Sequence, residues 1–231
     1  MASAVPGPAG LPPTRIVIAS KSARVNVVAR GDELVVRGAA YTTEPDGTVH
    51  VTTRSASVDI ECPDDCDVVI GVESGRVSAK GRLGAVRVSS ESGRVEVESA
   101  RELDVRSQSG RVEVGTVEGL ARVNVTSGRF TVGRAGSVDI AVQSGRVVVQ
   151  DCGDAIVQSL SGRIELATRA GCDVDIRTTS GRVSVSVPRG CCPSVVTDIR
   201  SGRVDCAVPQ GNDGAISVHA VSGRVTIEER S

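Results

Sequence analysis

From Ser74 onward, small aliphatic residues alternate with polar ones in a pattern that resets every 17 to 21 residues around one tetrapeptide, Ser-Gly-Arg followed by an aliphatic or aromatic residue. The tetrapeptide begins at Ser74, Ser92, Ser109, Ser127, Ser144, Ser161, Ser180, Ser201 and Ser222. With the Ser numbered 0, positions +3 and +5 are aliphatic or aromatic, as in Val95 and Val97, Phe130 and Val132, and Ile164 and Leu166. Positions −6 and −4 repeat the theme in Val86 and Val88, Val138 and Ile140, and Ile216 and Val218. A period of two predicts two half-buried strands per repeat, separated by the Ser-Gly corner on one side and a second corner on the other.

The second corner absorbs the length changes. It reads Gly153, Gly171, then Pro188–Pro193 and the run from Pro209 to Gly214, and insertions collected there leave the strand faces in register. The expectation is an all-β chain: a single-stack parallel β-solenoid, or β-helix, of 17-to-21-residue coils. A flattened two-sided and a three-sided cross-section are both compatible with that period, and the usual preference for right-handed crossovers favours a right hand. One coil cannot bury enough surface to hold itself, so stability belongs to the array and its ends need protection.

Three segments follow. Residues 1–13, with four prolines, read as a disordered extended tail. Residues 14–54 read as a divergent N-terminal β cap, with a hairpin turn at Glu44-Pro45-Asp46-Gly47. Residues 55–231 form the solenoid with its nine Ser-Gly-Arg corners. Within this frame, Ser55-Ala-Ser-Val58 repeats the pattern without the Gly-Arg, and Ser22-Ala-Arg24-Val25 repeats it more faintly. The C-terminus stops after one strand, Val225-Thr-Ile227, which the pattern leaves as an open edge guarded by Glu228, Glu229 and Arg230.

The Ser-Gly-x-Val step, with stretches such as Val58-Asp-Ile-Glu-Cys-Pro-Asp-Asp-Cys-Asp-Val68 leading into Glu73-Ser-Gly-Arg-Val77, resembles the bacterial putative adhesin family, whose members carry tandem Ser-Gly-Asp-Val or Ser-Gly-Arg-Val strand repeats. The resemblance covers most of residues 15–231 and implies a β-solenoid. In coil size and N-terminal tail the chain is also loosely similar to bactofilins, cytoplasmic β-solenoids that polymerise end to end.

Position +2 carries the chemistry of most interest: Arg76, Arg94, Arg111, Arg129, Arg146, Arg163, Arg182, Arg203 and Arg224. These point outward, and at a strand spacing of about 4.8 Å they predict a ladder about 38 Å long. Neighbouring unit charges at that spacing repel by about 0.9 kcal/mol even at the dielectric of water. Two arrangements could compensate: each guanidinium could tie to a carbonyl or carboxylate of the next coil, or the ladder could receive a polyanion, an acidic partner or the acidic column of another copy. At +4, Glu96, Glu113, Glu165 and Asp205 offer partial neutralisation, while the −5 column alternates in sign through Arg87, Asp104, Arg122 and Asp139.

Composition narrows the field. Tyr41 and Phe130 are the only aromatic residues, which removes the walls of most ligand pockets and single-strand nucleic-acid grooves. A net charge of −1 argues against a general attraction to nucleic acid or anionic membrane. No stretch is apolar enough to span a bilayer and the N-terminus carries no export signal, so a bacterial-type cytoplasmic protein is expected.

The seven cysteines match no zinc spacing. Cys152, Cys172 and Cys191 or Cys192 fall at the variable corner of successive coils and are expected close together, Cys206 at +5 is expected in the core, and the Cys62–Cys66 stretch is expected to be a turn whose aspartates resist thiolate formation. His50 and His219 lie far apart in sequence, and the corner serines have no base repeating beside them, so neither a catalytic site, a metal site nor a cofactor is expected. The reading is a non-enzymatic structural or scaffold protein that self-associates into a homo-oligomer or filament. The alternative is a monomeric binding module whose arginine ladder engages an anionic or acidic partner.

Overall fold

The computed structural model of the chain describes residues 3–4, 15–54 and 57–230, and every regular element in it is a strand. In chain order these are β1 (Ser3–Ala4), β2 (Arg15–Ala29), β3 (Val35–Arg37), β4 (Ala40–Thr43), β5 (Thr48–Thr53), β6 (Val58–Cys62), β7 (Asp67–Cys152), β8 (Ala155–Thr168), β9 (Val174–Val187), β10 (Ser194–Cys206) and β11 (Ala215–Glu229). The chain forms two compact units, Met1–Glu118 and Gly119–Ser231, and β7 runs from the first into the second. Of the expected N-terminal tail, Ser3 and Ala4 form a short strand antiparallel to β3, and the remainder lies outside the described residues, as do Ser55 and Ala56.

The Ser-Gly-Arg step is not a turn. β8, β9, β10 and β11 each run through it as one strand, with Ser, Gly and Arg in register from coil to coil. What replaces a turn is a kink at the glycine, whose φ lies between +136° and +152° at every such position from Gly75 to Gly223. The close approach explains the residue. A Cβ on Gly181 would sit 2.2 Å from the carbonyl oxygen of Gly162, and one on Gly223 would sit 2.2 Å from that of Gly181. Glycine therefore stacks on glycine: in the first unit Gly110 on Gly93 on Gly75 on Ala23, in the second Gly202 on Gly223 on Gly181 on Gly162 on Gly145 on Gly128.

Either side of the kink, inward positions are filled by the aliphatics that the alternation assigns to them. Val95, Val105 and Val112 in the first unit and Phe130, Ile140, Ile164 and Ile176 in the second are all at most 2% exposed. A further inward column, at −2, is hydroxylic in several coils: Ser90, Ser107, Ser159 and Thr178 are buried, and each donates to the carbonyl two residues ahead, at 3.2 to 3.4 Å. These bonds bridge the kink from inside, as short Ser and Thr side chains do in backbone turns.

Chain order and stacking order diverge in both units. In the first, β2 is a full coil in register with the start of β7, pairing Ser22 with Ser74 and Arg24 with Arg76. On its other side lie β5 and β6, parallel to it. The segment expected as a cap thus splits: β2 belongs to the stack, while β4 pairs antiparallel with β5 across the expected hairpin and β3 pairs antiparallel with β6. Antiparallel strands cover the outer edge of that coil, a known device for blunting a sheet end.

In the second unit β11 inserts between β9 and β10, so the final strand of the chain is interior. The expected open edge at Val225 and Ile227 is corrected accordingly: both are buried, at 1% and 0% exposure. Glu229 accepts from the Gly190 N–H and the Arg230 N–H donates to the Val187 carbonyl, so these residues lie along β9. The open edge belongs to β10, where Val204 is 39% exposed and Cys206, expected in the core, is exposed as well. The composition of the two strands gives a reason. β11 offers Ile216, Val218, Ala220, Val225 and Ile227 to the interior, whereas β10 offers Val195, Thr197, Ile199, Val204 and Cys206, and the more apolar set takes the doubly covered layer. Skipping a layer needs longer connections, which is where the last two repeats gain their extra residues.

The kink geometry yields a direct test. Gly181→Ala places a Cβ against a backbone carbonyl at a φ of +139°, whereas Gly171→Ala, at φ +73°, meets nothing within 4 Å. Thermal unfolding should show Gly171→Ala losing about 1 to 2 kcal/mol from backbone strain alone. Gly181→Ala should lose clearly more, because the neighbouring coil must also move.

Candidate functional site

The arginines at +2 follow the glycine stack in each unit. In the first, Arg24 joins Arg76, Arg94 and Arg111, a member that sequence reasoning passed over because Ala23 stands where the motif has glycine. In the second the order is Arg129, Arg146, Arg163, Arg182, Arg224, Arg203, with Arg224 moved inward by the insertion of β11.

Compensation is local and incomplete. Arg94 and Arg111 approach the glutamates two residues ahead, Glu96 at 3.8 Å and Glu113 at 3.7 Å. Arg146 reaches across to the next coil and donates to Glu165 Oε1 at 2.8 Å, and Arg163 stands 3.7 Å from the same oxygen. Pairs this exposed contribute little each. Among the described residues Arg182, Arg224 and Arg203 make neither an ion pair nor a side-chain hydrogen bond, and the +4 positions beside the first two are Ser184 and Thr226. These arginines, with Arg163 and the glycines Gly162, Gly181, Gly223 and Gly202, line an open trough of about 690 Å³.

The −5 column keeps its alternation only in part. Arg122 stands 3.6 Å from Asp139 in the second unit, but in the first Asp104 turns to Arg106 on its own strand, at 3.7 Å. The strongest charge cluster lies at the other corner. Asp151 Oδ2 accepts from Arg134 Nε at 3.1 Å and from Arg169 Nε and Nη2 at 3.2 and 3.1 Å, while Arg169 Nη2 also donates to the Ala135 carbonyl. Burial pushes the Asp151 carboxyl up, but Arg169 and Arg134 together outweigh it and hold the group below the usual carboxylate range. Arg230 adds donations to the Gln150 and Thr168 carbonyls, so this corner is tied across several coils by guanidinium groups.

The cysteines separate. The connection before β11 lies between those of Cys172 and Cys192: Gly214 packs on the Cys172 carbonyl and Gly211 on the Cys192 side chain. Cys172 and Cys192 are thus two layers apart, and the expected clustering of all three corners is corrected. Cys152 does lie near Cys172, and burial, reinforced by that neighbour, pushes its thiol up to about 12. Cys62 and Cys66 flank a tight turn with Asp65 at φ +59°. A hydrogen bond between the two thiols lowers the Cys62 pKa and raises that of Cys66, which overrides the expected resistance of the aspartates at Cys62. Among the described residues no group of three or more His, Cys, Asp or Glu is placed to hold a metal ion.

One arrangement has the outline of a catalytic relay. Ser217 Oγ lies 3.1 Å from His219 Nε2, and His219 Nδ1 lies 3.8 Å from Asp198 Oδ2. His219 and Asp198, but not Ser217, line a groove of about 640 Å³ that follows positions −3 and −1 past Leu160, Arg177, Arg200 and Val221. The Asp198 contact, at 3.8 Å, is too long to orient the ring.

An all-β stack with a glycine spine and an arginine ladder defines a repeat protein. The chain belongs to the Toastrack DUF4097 family, a family of unknown function whose model matches residues 14–231. The resemblance carried by the Ser-Gly-x-Val step therefore holds over most of the chain. Among solved structures, it is similar to a putative adhesin from Bacteroides fragilis NCTC 9343, at 11% identity over 100% of this chain and 96% of that one, with a TM-score of 0.47. A putative adhesin from Parabacteroides distasonis ATCC 8503 aligns at 12% identity over 100% and 96%, with a TM-score of 0.42. A putative cell adhesion protein from Clostridium sporogenes ATCC 15579 aligns at 9% over 100% and 99%, with a TM-score of 0.24. These are distant likenesses. No curated protein matches the chain. Among the described residues no helix is long and apolar enough to cross a membrane.

The Asp151 cluster predicts a pH dependence. A depressed folded pKa gives stability that is complete above the unfolded carboxyl value of about 3.9 and is lost as pH falls through the lower folded value. Denaturant unfolding at pH 7 should show Asp151→Asn less stable than the parent, and the difference should shrink toward pH 3.

Proposed function

We propose that this protein is a non-enzymatic structural protein that assembles with a second copy of itself through β10. One observation carries the reading: β10 closes the second unit with an unpaired edge and half-exposed core side chains. Val204 is 39% exposed where its neighbour in the stack, Val225, is 1% exposed. Burying such a side chain contributes about 1.5 kcal/mol or more, and the unpaired edge adds a row of backbone donors and acceptors.

The surface that fits a kinked coil is another kinked coil. β11 pairs with β10 on both sides of the Ser-Gly-Arg step, and β10 of a second copy supplies the same shape. An edge that meets its own copy does so about a two-fold axis, with the strands antiparallel, and such an interface closes as a pair. The antiparallel cover of β5 and β6 by β4 and β3 in the first unit favours that closed pair over an open filament. The odd number of cysteines in the sequence supports a reducing compartment such as the cytoplasm as its site of action.

Sedimentation velocity across a concentration series tests this. The parent should sediment as a dimer, and Val204→Lys, which charges the open end, should sediment as a monomer with unfolding unchanged to within a few degrees. Val196→Lys, on the outward face of the same strand and already 56% exposed, should remain dimeric. A parent that is monomeric at every concentration, or dimers that survive Val204→Lys, would overturn the reading.

A further inference from the structure

We infer that the trough beside Arg163, Arg182, Arg224 and Arg203 binds a linear acidic polysaccharide. This goes beyond pairing through β10 and stands on a different observation, the uncompensated run of charge in the second unit.

The trough is a consequence of the kink. Gly162, Gly181, Gly223 and Gly202 form its floor because a Cβ on any of the last three would collide with a stacked carbonyl at 2.0 to 2.2 Å. Side chains are thereby excluded from one line along the stack, and the +2 arginines stand as a single file along that line. Elsewhere in the ladder glutamates take up part of the charge. Glu165 engages both Arg146 and Arg163, but Arg182 and Arg224 face Ser184 and Thr226, and Arg203 makes no ion pair with the nearby Asp205. Three consecutive guanidinium groups thus repel one another with their donors unassigned, and a row of anions would satisfy both needs, through charge-assisted and bidentate hydrogen bonds.

Spacing selects among polyanions. The arginines recur at about 4.8 Å, the strand separation. Same-side carboxylates of an extended acidic peptide recur at about 6.6 to 6.8 Å, two strand residues apart. Phosphates along a duplex advance about 3.4 Å per strand and wrap around the axis, so a straight single file does not follow them. A chain of sugar rings bearing one anionic group per ring is narrow enough for a glycine-floored trough, and rotation about its glycosidic bonds can turn successive charges toward a single file of arginines. No Trp and two aromatic side chains in the whole sequence leave no platform for stacking on ring faces, so recognition rests on charge and weakens steeply with salt.

Calorimetric titration of the full chain with alginate oligosaccharides of defined length and with dextran sulfate separates carboxylate from sulfate. Binding of either, tightening with oligosaccharide length until about four charges are engaged and then levelling, is the expected result. Arg182→Gln with Arg224→Gln should weaken it by at least about tenfold, while Arg122→Gln, which removes one charge from a different column, should leave it unchanged. Repeating the titration with Val204→Lys keeps this distinct from assembly: binding retained in the monomer and lost in the double variant supports the trough. Failure of both polymers to bind, equal loss in Arg122→Gln, binding of polyglutamate or duplex DNA as tight as that of the polysaccharides, or loss in Val204→Lys with retention in the double variant would each overturn it.

Discussion

The close approach of glycine to glycine at the Ser-Gly-Arg kink is the constraint on which the rest of this structure depends. With a Cβ-to-carbonyl distance of 2.0 to 2.3 Å for a side chain placed on a glycine that rests on another coil of its unit, the kink demands glycine there and locks the rotation of that coil onto its neighbour in the stack. Register then propagates without further instruction. Ser meets Ser, Arg meets Arg, and the inward positions on both sides of the kink fall into continuous aliphatic columns. A one-residue slip would turn each buried valine to solvent, so the kink and the alternation enforce the same alignment.

That locking has an electrostatic consequence. Identical positions stack on identical positions, and a motif containing arginine therefore builds a column of like charge. The protein answers in two ways. Glutamates at +4 neutralise some coils, and guanidinium groups at the opposite corner draw on carbonyls and on Asp151 to tie coils together. The run from Arg182 to Arg203 escapes both, and it coincides with the longest repeats and with the layer inversion of β10 and β11. Assembly and ligand binding are thereby proposed for neighbouring features of one unit, the edge and the ladder that leads to it.

Much of this was legible in the chain. The nine repeats determined the all-β class, the inward columns, the stacking of arginines and the corner at which insertions collect, because each depends on local alternation and on a motif that can align only with itself. The hydroxyl column at −2 was equally visible, as Ser90, Ser107, Ser159 and Thr178, but its purpose emerges only when the kink is seen to need a bridge from inside. What the sequence could not decide was order. Parallel coils carrying the same motif are interchangeable partners, so local pattern cannot say whether β10 or β11 sits next to β9, or whether β5 and β6 precede or follow β2. Tertiary packing decided it, by giving the most apolar coils two covered faces, by leaving Thr197 and Cys206 at the edge, and by separating Cys172 from Cys192.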